Sequence, residues 1–549
     1  MSSLDPQDRP QLSDAPRRRL LQASAGLVAA QGVIGFLGAL HAPRAQAAGG
    51  RQTVPAVSPY GPVSPVADGA TGLALLALPE GFSYRSFGWT GDPMDDGRPT
   101  PSNHDGMAVA AATKRSNSVV LVRNHERGLV GTLDEAIVAP HNYAQGYVDG
   151  IIRVPYAGIV IRIGASGVVV DPTAADPAPF RGHPAGGTTN LGFQGVWRHA
   201  ASSLGGTLGN CAGGPTPWGS WLTCEETIFD FSEIGGARHG YVFEAAADPA
   251  LSIAEPIVGM GRFVHEAVAV DPRTGDVYET EDNRNLSGLY RYRPLDPSGG
   301  IGSLQRGGTL QAARIKAIVR QAVPTSLAQA NDLALLDPQI GDEYALEWVD
   351  IADPDASPVV VAGQPGGVSL GFMAGPSFQA RSAGCIRMSR GEGIWYSAGR
   401  MFIVDTAAGV DAGGRPGRGE GAVWVLDLAS QRLRALHVSA NQTVGNNADN
   451  ITVSPRGGVL LCEDGGAGDA GIRLLGLNAA GEAYTFARTN LELSAADIAA
   501  AGKQVAPGNY RGAEFAGACF DPGGRTLFMN LYSPGITVAI QGPWKKGNI

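Results

Sequence analysis

The sequence is poor in charged residues, and it contains no strongly basic segment that could bind a polyanion. Only 17% of its 549 residues are charged, and 51 acidic residues outnumber 42 basic ones to give a net charge of −9. A chain of this charge has no electrostatic footprint for nucleic acid, so that class of partner is excluded. An anionic ligand would need metal ions or a local arginine cluster to bind.

Cysteine is also scarce, and two common enzyme motifs are absent. An odd number of five cysteines in so long a chain does not indicate a disulfide framework, and it leaves at least one thiol free. The sequence contains no HExxH pattern and no P-loop, which excludes a zinc protease of that type and a P-loop nucleotide site. Past residue 50 no hydrophobic run reaches the length of a membrane span.

The first 47 residues have the pattern of an export signal. Arg17, Arg18 and Arg19 precede Leu20 and Leu21, an apolar stretch follows over residues 23–40, and residues 45–47 read Ala-Gln-Ala. A charged start, an apolar centre and a small-residue cleavage site define a secretory signal, and the paired arginines predict the twin-arginine export machinery as a partner. The alternative is a membrane anchor. We expect a mature protein of residues 48–549, monomeric, periplasmic or extracellular and without membrane contact.

The mature chain is rich in glycine and predicts an all-β fold. Glycine accounts for 78 residues without a collagen period, and 44% of residues are hydrophobic, enough for a large core. Short apolar or alternating runs are separated by Pro, Gly, Asp and Asn, as in strands and turns. The best candidate for a helix is roughly Gly308 to Gln321.

A recurring hairpin predicts a β-propeller. Each copy has an apolar strand, a turn with glycine and a second short strand; five copies cover residues 213–227, 269–283, 387–401, 452–466 and 519–533, and a weaker sixth covers 111–126. Repeats of this kind are typical of propeller blades. We therefore expect residues 48–549 to form one domain, a six-bladed propeller with long loops between blades.

Acidic pairs recur at one position of this hairpin. Three copies end in Glu225-Glu226, Glu281-Asp282 and Glu463-Asp464, whereas the others hold Asn530-Leu531, Gly399-Arg400 and Asn124-His125. Equivalent strand ends of a propeller converge on one mouth of the central channel. Carboxylates that meet there repel one another unless a cation is bound, and oxygen ligands suit Ca²⁺, Mg²⁺, Mn²⁺ or Fe(III). The alternative is that these are solvated loop acids.

Two further residues could join such a site. Cys211 lies in the loop Gly209-Asn210-Cys211-Ala212 before the first acidic strand, and a thiolate there would favour a transition metal, although a lone cysteine is more often a small core residue. Glu266 follows His265 at the start of an apolar strand. The histidine could equally be a satisfied core residue beside a turn glutamate.

These segments together resemble the PhoX-type secreted alkaline phosphatases over nearly the whole mature chain. The landmarks are YGPVSP (60–65), LPEGFSY (78–84), NHDGMAV (103–109), VRNHE (122–126), AGGTTNL (185–191), NCAGGPTPWGSWLTCEET (210–227), RFVHEAV (262–268), ADNITVSPRG (448–457), LCEDG (461–465) and EFAGACFDPGGRTLFMN (514–530). The block of residues 210–227 is the most specific of them.

The resemblance implies hydrolysis of phosphate monoesters at an iron(III) and calcium centre in the channel mouth. Cys211 and Glu226 match family metal ligands, and Glu225, Glu266, Glu281, Asp282, Glu463 and Asp464 complete the candidate set. Asn124 and Asn190 lie in two of the landmarks and are candidate contacts for a small phosphorylated substrate. No side-chain nucleophile is required.

The resemblance also implies a phosphate-binding arginine in an Arg-x-Glu-Gly motif. The expected match is residues 378–384, which makes Arg381 the candidate catalytic residue and places Ala383 where the family has a glutamate ligand. Glu392 is not expected to replace that glutamate. Loss of this carboxylate predicts weaker phosphatase activity. The alternatives are a catalytically inactive metal-binding propeller and another propeller hydrolase, such as a lactonase or a phytase-like enzyme.

Overall fold

The structure is a computed structural model that describes residues 50–113, 118–169, 173–362, 370–466 and 470–549. The predicted export signal of residues 1–47 lies outside the described residues. No described helix has the length and apolar character needed to cross a membrane.

Strands dominate the described part of the chain. They are β1 (Val63–Val66), β2 (Leu76–Pro79), β3 (Ser83–Phe87), β4 (His104–Thr113), β5 (Ser118–His125), β6 (Leu129–Val130), β7 (Val148–Gly150), β8 (Ile152–Tyr156), β9 (Ile159–Gly164), β10 (Gly167–Val169), β11 (Phe180–Pro184), β12 (Gly186–Phe193), β13 (Trp197–Thr207), β14 (Asn210–Pro215), β15 (Ser220–Glu225), β16 (Val242–Ala246), β17 (His265–Val270), β18 (Val277–Glu281), β19 (Leu289–Pro294), β20 (Gly308–Arg320), β21 (Glu343–Asp350), β22 (Val359–Ala362), β23 (Leu370–Met373), β24 (Gly391–Ser397), β25 (Arg400–Asp405), β26 (Ala422–Asp427), β27 (Arg432–Val438), β28 (Ala448–Val453), β29 (Val459–Glu463), β30 (Arg473–Leu477), β31 (Ala483–Thr489), β32 (Glu492–Leu493), β33 (Gly508–Asn509), β34 (Phe515–Phe520), β35 (Thr526–Leu531) and β36 (Ile536–Gln541).

Helices in the described part are few and short. The α-helices are Leu327–Gln329, which continues as a π-helical turn over Ala330–Ala334, Gly375–Ser382 and Ala495–Ala501; the 3₁₀ helices are Leu133–Glu135, Ser232–Ile234, Pro249–Leu251, Val258–Met260, Leu304–Arg306 and Trp544–Lys546.

Six antiparallel hairpins surround a common axis. The first strands of these hairpins are β4, β14, β17, β24, β28 and β34, and each pairs with the strand that follows it. In space β4 contacts β14, β14 contacts β17, and the series continues through β24, β28 and β34 back to β4. A closed ring of this kind confirms the predicted all-β propeller. We interpret each first strand as the innermost strand of one blade.

Outer strands extend these hairpins into sheets. The sheets run β4-β5-β12-β13, β14-β15-β16 and β28-β29-β30-β31-β2-β1, and a nine-stranded sheet joins β17-β18-β19-β20-β21 to β27-β26-β25-β24. The last sheet, β34-β35-β36, receives β3 from the start of the described chain, with Ser83 opposite Gln541. This pairing of early and late strands closes the ring.

The innermost strands approach one another closely around the axis, and glycine permits this. A Cβ on Gly106 of β4 would lie 2.5 Å from the Cα of Ala212 in β14. Gly517 of β34 has φ +59°, and a Cβ there would lie 2.6 Å from the carbonyl oxygen of Asp105. Glycine is favoured at both positions because any side chain would meet backbone.

The predicted helix near residues 308–321 is wrong. This segment forms β20, which lies between β19 and β21 in the nine-stranded sheet. Leu310, Ala312 and Ile315 are buried there. Pairing along both edges of β20 outweighs a local helical pattern, as tertiary context often does.

Candidate metal centre

The same backbone irregularity begins every innermost strand. Its register with the neighbouring strand shifts between His104 and Met107, Asn210 and Gly213, His265 and Val268, Gly391 and Ile394, Ala448 and Ile451, and Ala516 and Cys519. A bulge re-aims the side chain that it displaces. The first displaced residues are Asp105, Cys211, Glu266, Glu392, Asp449 and Gly517. Five of these six positions therefore supply a carboxylate or a thiol at the axial end of the ring.

The second strands add further acids at the same end. Glu126, Glu226, Asp282 and Asp464 each follow immediately after the last residue of β5, β15, β18 and β29. Glu514 comes just before β34. The acidic recurrence predicted from the hairpins is thus present, but it comes from both strands of the hairpin.

These side chains bring their ligand atoms together in three adjoining groups. Each group has ligand atoms within 4.8 Å of one another; the groups are Cys211, Glu226 and Glu266, then Glu266, Glu392 and Asp449, then Asp449, Asp464 and Glu514. Because Glu266 and Asp449 are each shared by two groups, the groups form a continuous row. We call this row, with the adjoining Asp105, Glu126 and Asp282, the axial cluster.

The axial cluster is unsatisfied without a cation. Both carboxylate oxygens of Asp105 and of Glu266 are buried and have no hydrogen-bond partner among the described residues, and the same holds for one oxygen each of Asp449 and Glu514. Burial and then the neighbouring carboxylates raise the pKa of Asp105, Glu266 and Glu514 well above its usual range. Buried charge of one sign with open oxygens is the environment in which metal ions bind.

Arg390 is a basic residue that contacts this cluster directly. Its Nε and Nη2 donate to the two carboxylate oxygens of Asp282 at 2.9 and 2.6 Å, and Nη2 lies 2.8 Å from Glu392. Its Nη1 makes no hydrogen bond within the described ranges. One guanidinium leaves most of the acidic charge uncompensated, so it does not replace a metal ion.

The first acid of each predicted pair lies away from the axial cluster. Glu225 accepts hydrogen bonds from the backbone N–H of Leu208 and Gly240, and it also hydrogen-bonds His239. Glu463 accepts from Arg473 at 2.5 and 2.9 Å. These carboxylates hold loops within the fold, so the structure gives them partners other than a metal.

Glu281 behaves in the same way. It accepts hydrogen bonds from Tyr290 Oη at 2.8 Å and Ser377 Oγ at 2.5 Å, and burial raises its pKa to about 7. Successive side chains of a strand point to opposite faces, so two consecutive acids cannot both face the axis. Of the predicted ligands, the structure brings together Cys211, Glu226, Glu266, Asp282 and Asp464.

Asn124 and Asn190, which were expected to contact the substrate, make hydrogen bonds within the fold instead. The amide of Asn124 donates to the carbonyl oxygens of Cys211 and Ala212, and its oxygen accepts from Trp221. The amide of Asn190 donates to the carbonyl oxygens of residues 246 and 247. Both side chains are buried, so Asn124 positions the Cys211 backbone rather than presenting an open amide.

Arg381 lies away from the axial cluster. It is in the helix Gly375–Ser382, where its Nη1 lies 3.2 Å from Asp332. It shares a cavity of about 590 Å³ with Ala383, Arg314 and Glu347, and this cavity includes no member of the axial cluster. The structure therefore gives Arg381 no contact with the cluster.

The Arg-x-Glu-Gly pattern is intact nine residues further on. Residues 390–393 read Arg-Gly-Glu-Gly, and both Arg390 and Glu392 belong to the cluster just described. The expectation that Glu392 is out of register is wrong, because the bulge at the start of β24 turns its side chain inward. The hairpin copy assigned to residues 387–401 is also displaced, because its turn lies at residues 398–399, between β24 and β25, and β25 ends at Asp405.

The sequence reasoning missed Asp105, Glu126, Glu392, Asp449, Glu514 and Arg390. Asp105, Glu392 and Asp449 lie on the first strand of a hairpin, and Arg390 and Glu514 come just before one, whereas the predicted acidic pairs lie at the end of the second strand. The signal available was the alignment of the first strands, where Asp105, Cys211, Glu266, Glu392 and Asp449 occupy one position. A repeat alignment that allowed a bulge would have found it.

Ala383→Glu is expected to change neither metal content nor phosphatase activity. Ala383 ends the helix Gly375–Ser382 and its carbonyl accepts from Arg314 at 3.2 Å, away from the axial cluster. Metal analysis and the rate of aryl phosphate hydrolysis of this variant check the expectation. A gain in both would instead show that Ala383 marks a missing ligand.

The comparisons with known proteins agree with the fold described above. The family model described as alkaline phosphatase PhoX matches residues 58–535. No curated protein matches the chain. Among solved structures, Pseudomonas fluorescens PhoX in complex with vanadate, a transition state analogue, is similar with a TM-score of 0.51 and 16% identity, over 91% of this chain and 99% of that one.

A second solved structure is more distant. A gluconolactonase from Xanthomonas campestris has a TM-score of 0.32 and 13% identity, over 90% of this chain and 98% of that one. The family match, by contrast, spans most of the chain. This protein belongs to the PhoX alkaline phosphatase family.

Proposed function

We propose that this protein is an exported, metal-dependent phosphatase that hydrolyses phosphate monoesters at the axial cluster. The observation that carries the proposal is the row of three ligand groups, joined through Glu266 and Asp449, whose buried oxygens lack partners among the described residues. Membership of the PhoX family supports the reaction class. Export rests on the twin-arginine pattern of residues 1–47.

The ligand types differ along the row and suggest two kinds of ion. Cys211, Glu226 and Glu266 combine a thiol with carboxylates, a set that suits a transition metal, and we propose Fe(III). The other two groups contain carboxylates only, which suits Ca²⁺. When bound, such ions would offset the charge of a phosphate and polarise its oxygens.

The protein's own groups fix the geometry around these ions. Asn124 holds the carbonyl oxygens of Cys211 and Ala212, and Tyr532 donates to Glu126 at 2.7 Å. Such outer contacts orient ligands and exclude other arrangements. The bulges of the innermost strands add rigidity, because Cys211, Glu266, Glu392 and Asp449 stand on strands rather than on free loops.

Arg390, rather than Arg381, is placed to hold the phosphate. Asp282 and Glu392 orient its guanidinium on one side, and its Nη1 donors have no partner in the described part of the chain. A guanidinium fixed by two carboxylates can donate to phosphate oxygens without first losing its own conformational freedom. The presence of both Arg390 and Glu392 favours an active enzyme over an inactive metal-binding propeller.

Metal removal tests the proposal. Protein exported in its natural way is expected to contain iron and calcium and to hydrolyse p-nitrophenyl phosphate; prolonged chelation should abolish turnover, and the two ions together should restore it. Thermal unfolding of the chelated sample controls for loss of the fold. Full activity in protein shown to be free of metal would contradict the proposal.

A further inference from the structure

A large cavity adjoins the axial cluster. It has a volume of about 1140 Å³, and two of its lining residues, Glu126 and Glu226, belong to the cluster. Its walls come from parts of the segment between β5 and β12, from the segment after β15, and from Ser357, Pro358 and Phe372. The cavity is therefore continuous with the place where the phosphoryl group would react.

The walls of this cavity are mainly apolar. The larger apolar side chains that line it include Leu129, Ile152, Ile163, Phe180, Phe229 and Phe372. Phe180 packs against Phe229 with ring centroids 4.9 Å apart, and Phe229 stacks on Phe231 at 5.6 Å. Phe229 is only half-buried, so part of its ring faces the open volume.

Most charged lining residues are exposed or already have partners in the protein; Arg127 donates to the carbonyl oxygen of Glu135, and Asp230 accepts from the hydroxyl of Ser232. Arg153, Arg181 and Glu233 are exposed, and Arg181 pairs with Asp149 at 3.1 Å. Arg262 is buried, but its Nε and Nη2 already donate to the carbonyl oxygens of His239 and Ile228. The interior thus offers few free hydrogen-bonding groups to a polyhydroxylated ligand.

The size of the cavity exceeds what phosphate alone requires. Sites for organic ligands commonly measure about 300–1,000 Å³ and are lined mostly by apolar groups. An ester whose phosphoryl group lies at the axial cluster must place its organic group somewhere nearby, and this cavity is the adjoining space. Hydroxyl groups placed against its walls would lose their hydration without gaining partners.

We propose that this cavity binds the organic group of the substrate and selects phosphate monoesters of apolar, arylalkyl alcohols. The inference rests on the proposed phosphatase function. In the reaction the bond between phosphorus and the alcohol oxygen breaks, a water oxygen bonds to phosphorus, and a water proton passes to the leaving oxygen. The products are the free alcohol and inorganic phosphate. Contacts remote from phosphorus would then assist turnover as well as binding.

The selection is tested with two esters: phenylpropyl phosphate, which has a terminal phenyl group, and glycerol phosphate esterified at its end carbon. Both are esters of primary alcohols, so their leaving groups do not differ greatly. For the metal-loaded protein, kcat/KM is expected to be ~10-fold or more higher for the phenylpropyl ester than for the glycerol ester. Filling an apolar pocket has an effect of this size on kcat/KM. Equal values for the two esters would overturn the inference and leave the phosphatase proposal standing. Turnover of neither ester would contradict the phosphatase proposal, and the inference with it.

Matched variants locate the effect in the cavity. Ile152 of β8 lines it, whereas Val160 of the neighbouring β9 is 53% exposed and does not. Ile152→Asp is expected to lower the ratio of kcat/KM for the phenylpropyl ester to kcat/KM for the glycerol ester by about 10-fold. Val160→Asp should change neither value.

A second variant guards against misfolding of the first. Phe372→Ala removes apolar wall without adding charge and should reduce the same ratio of the two kcat/KM values. Thermal unfolding and turnover of the glycerol ester report whether each variant is folded. An unchanged ratio in a folded Ile152→Asp or Phe372→Ala variant would overturn the inference.

Discussion

Glu266→Gln is expected to reduce phosphatase turnover by ~100-fold or more and to lower the metal content of the protein. Glu266 belongs to two of the three ligand groups, so its loss removes a ligand from two neighbouring sites. Changes to residues that merely support metal ligands already cost about 10–100-fold. Initial rates with p-nitrophenyl phosphate and elemental analysis measure the two effects.

Glu279→Gln is the matched control for this change. Glu279 lies on the neighbouring strand β18, is fully buried and sits 3.1 Å from His265, but it belongs to none of the ligand groups. Burial raises its pKa well above the usual range, so a neutral amide resembles its protonated form. Equal losses of metal in the two variants would show that buried charge in general, rather than the axial cluster, controls metal binding.

A further comparison concerns the thermal stability of the Glu266→Gln variant and of the parent protein, both without metal. Without ions the carboxylates of the axial cluster repel one another, and Glu266→Gln removes one of them. The metal-free variant is therefore expected to unfold at a temperature no lower than that of the metal-free parent. A marked loss of thermal stability would indicate that Glu266 supports the fold directly.

Arg390→Lys is expected to lower kcat/KM by ~100-fold, whereas Arg381→Lys should stay close to the parent. Lysine keeps the charge of Arg390 but cannot contact Asp282 with two donors and still reach a phosphate. Arg381 pairs with Asp332 in a separate cavity. Steady-state kinetics of both variants decide between the two arginines.

The separate effects on KM and kcat refine this result. Loss of a phosphate contact in the ground state would raise KM, while loss of a contact made only in the transition state would lower kcat. A large effect of Arg381→Lys with no effect of Arg390→Lys would contradict the site described for this protein. Inhibition by inorganic phosphate, measured in parallel, checks that the variant retains a formed site.

The sequence predicted the architecture well because short-range features define the hairpin repeat. Turn glycines and alternating apolar residues mark each strand of the blades, and the family landmarks extend across them. The helix expected at residues 308–321 failed because β19 and β21 hydrogen-bond both edges of β20, a long-range condition that a local pattern does not contain.

The site was predicted less completely, and the physical reason is the bulge. Glu226, Asp282 and Asp464 were found because they follow strand ends in a recurring register. Their neighbours Glu225, Glu281 and Glu463 were included although a strand alternates its side chains. Glu392 and Asp449 reach the axis only because the register slips at the start of β24 and β28. A slip of this kind is visible in the pairing of strands and not in the spacing of residues.

The location of bound iron tests the central claim most directly. Crystals of naturally exported protein, measured on both sides of the iron absorption edge, should show an anomalous peak between Cys211 Sγ and the carboxylates of Glu226 and Glu266. The expected metal–sulfur distance is about 2.3 Å, the value found for zinc thiolates. An iron peak elsewhere, or an axial cluster without any ion in active protein, would contradict the account.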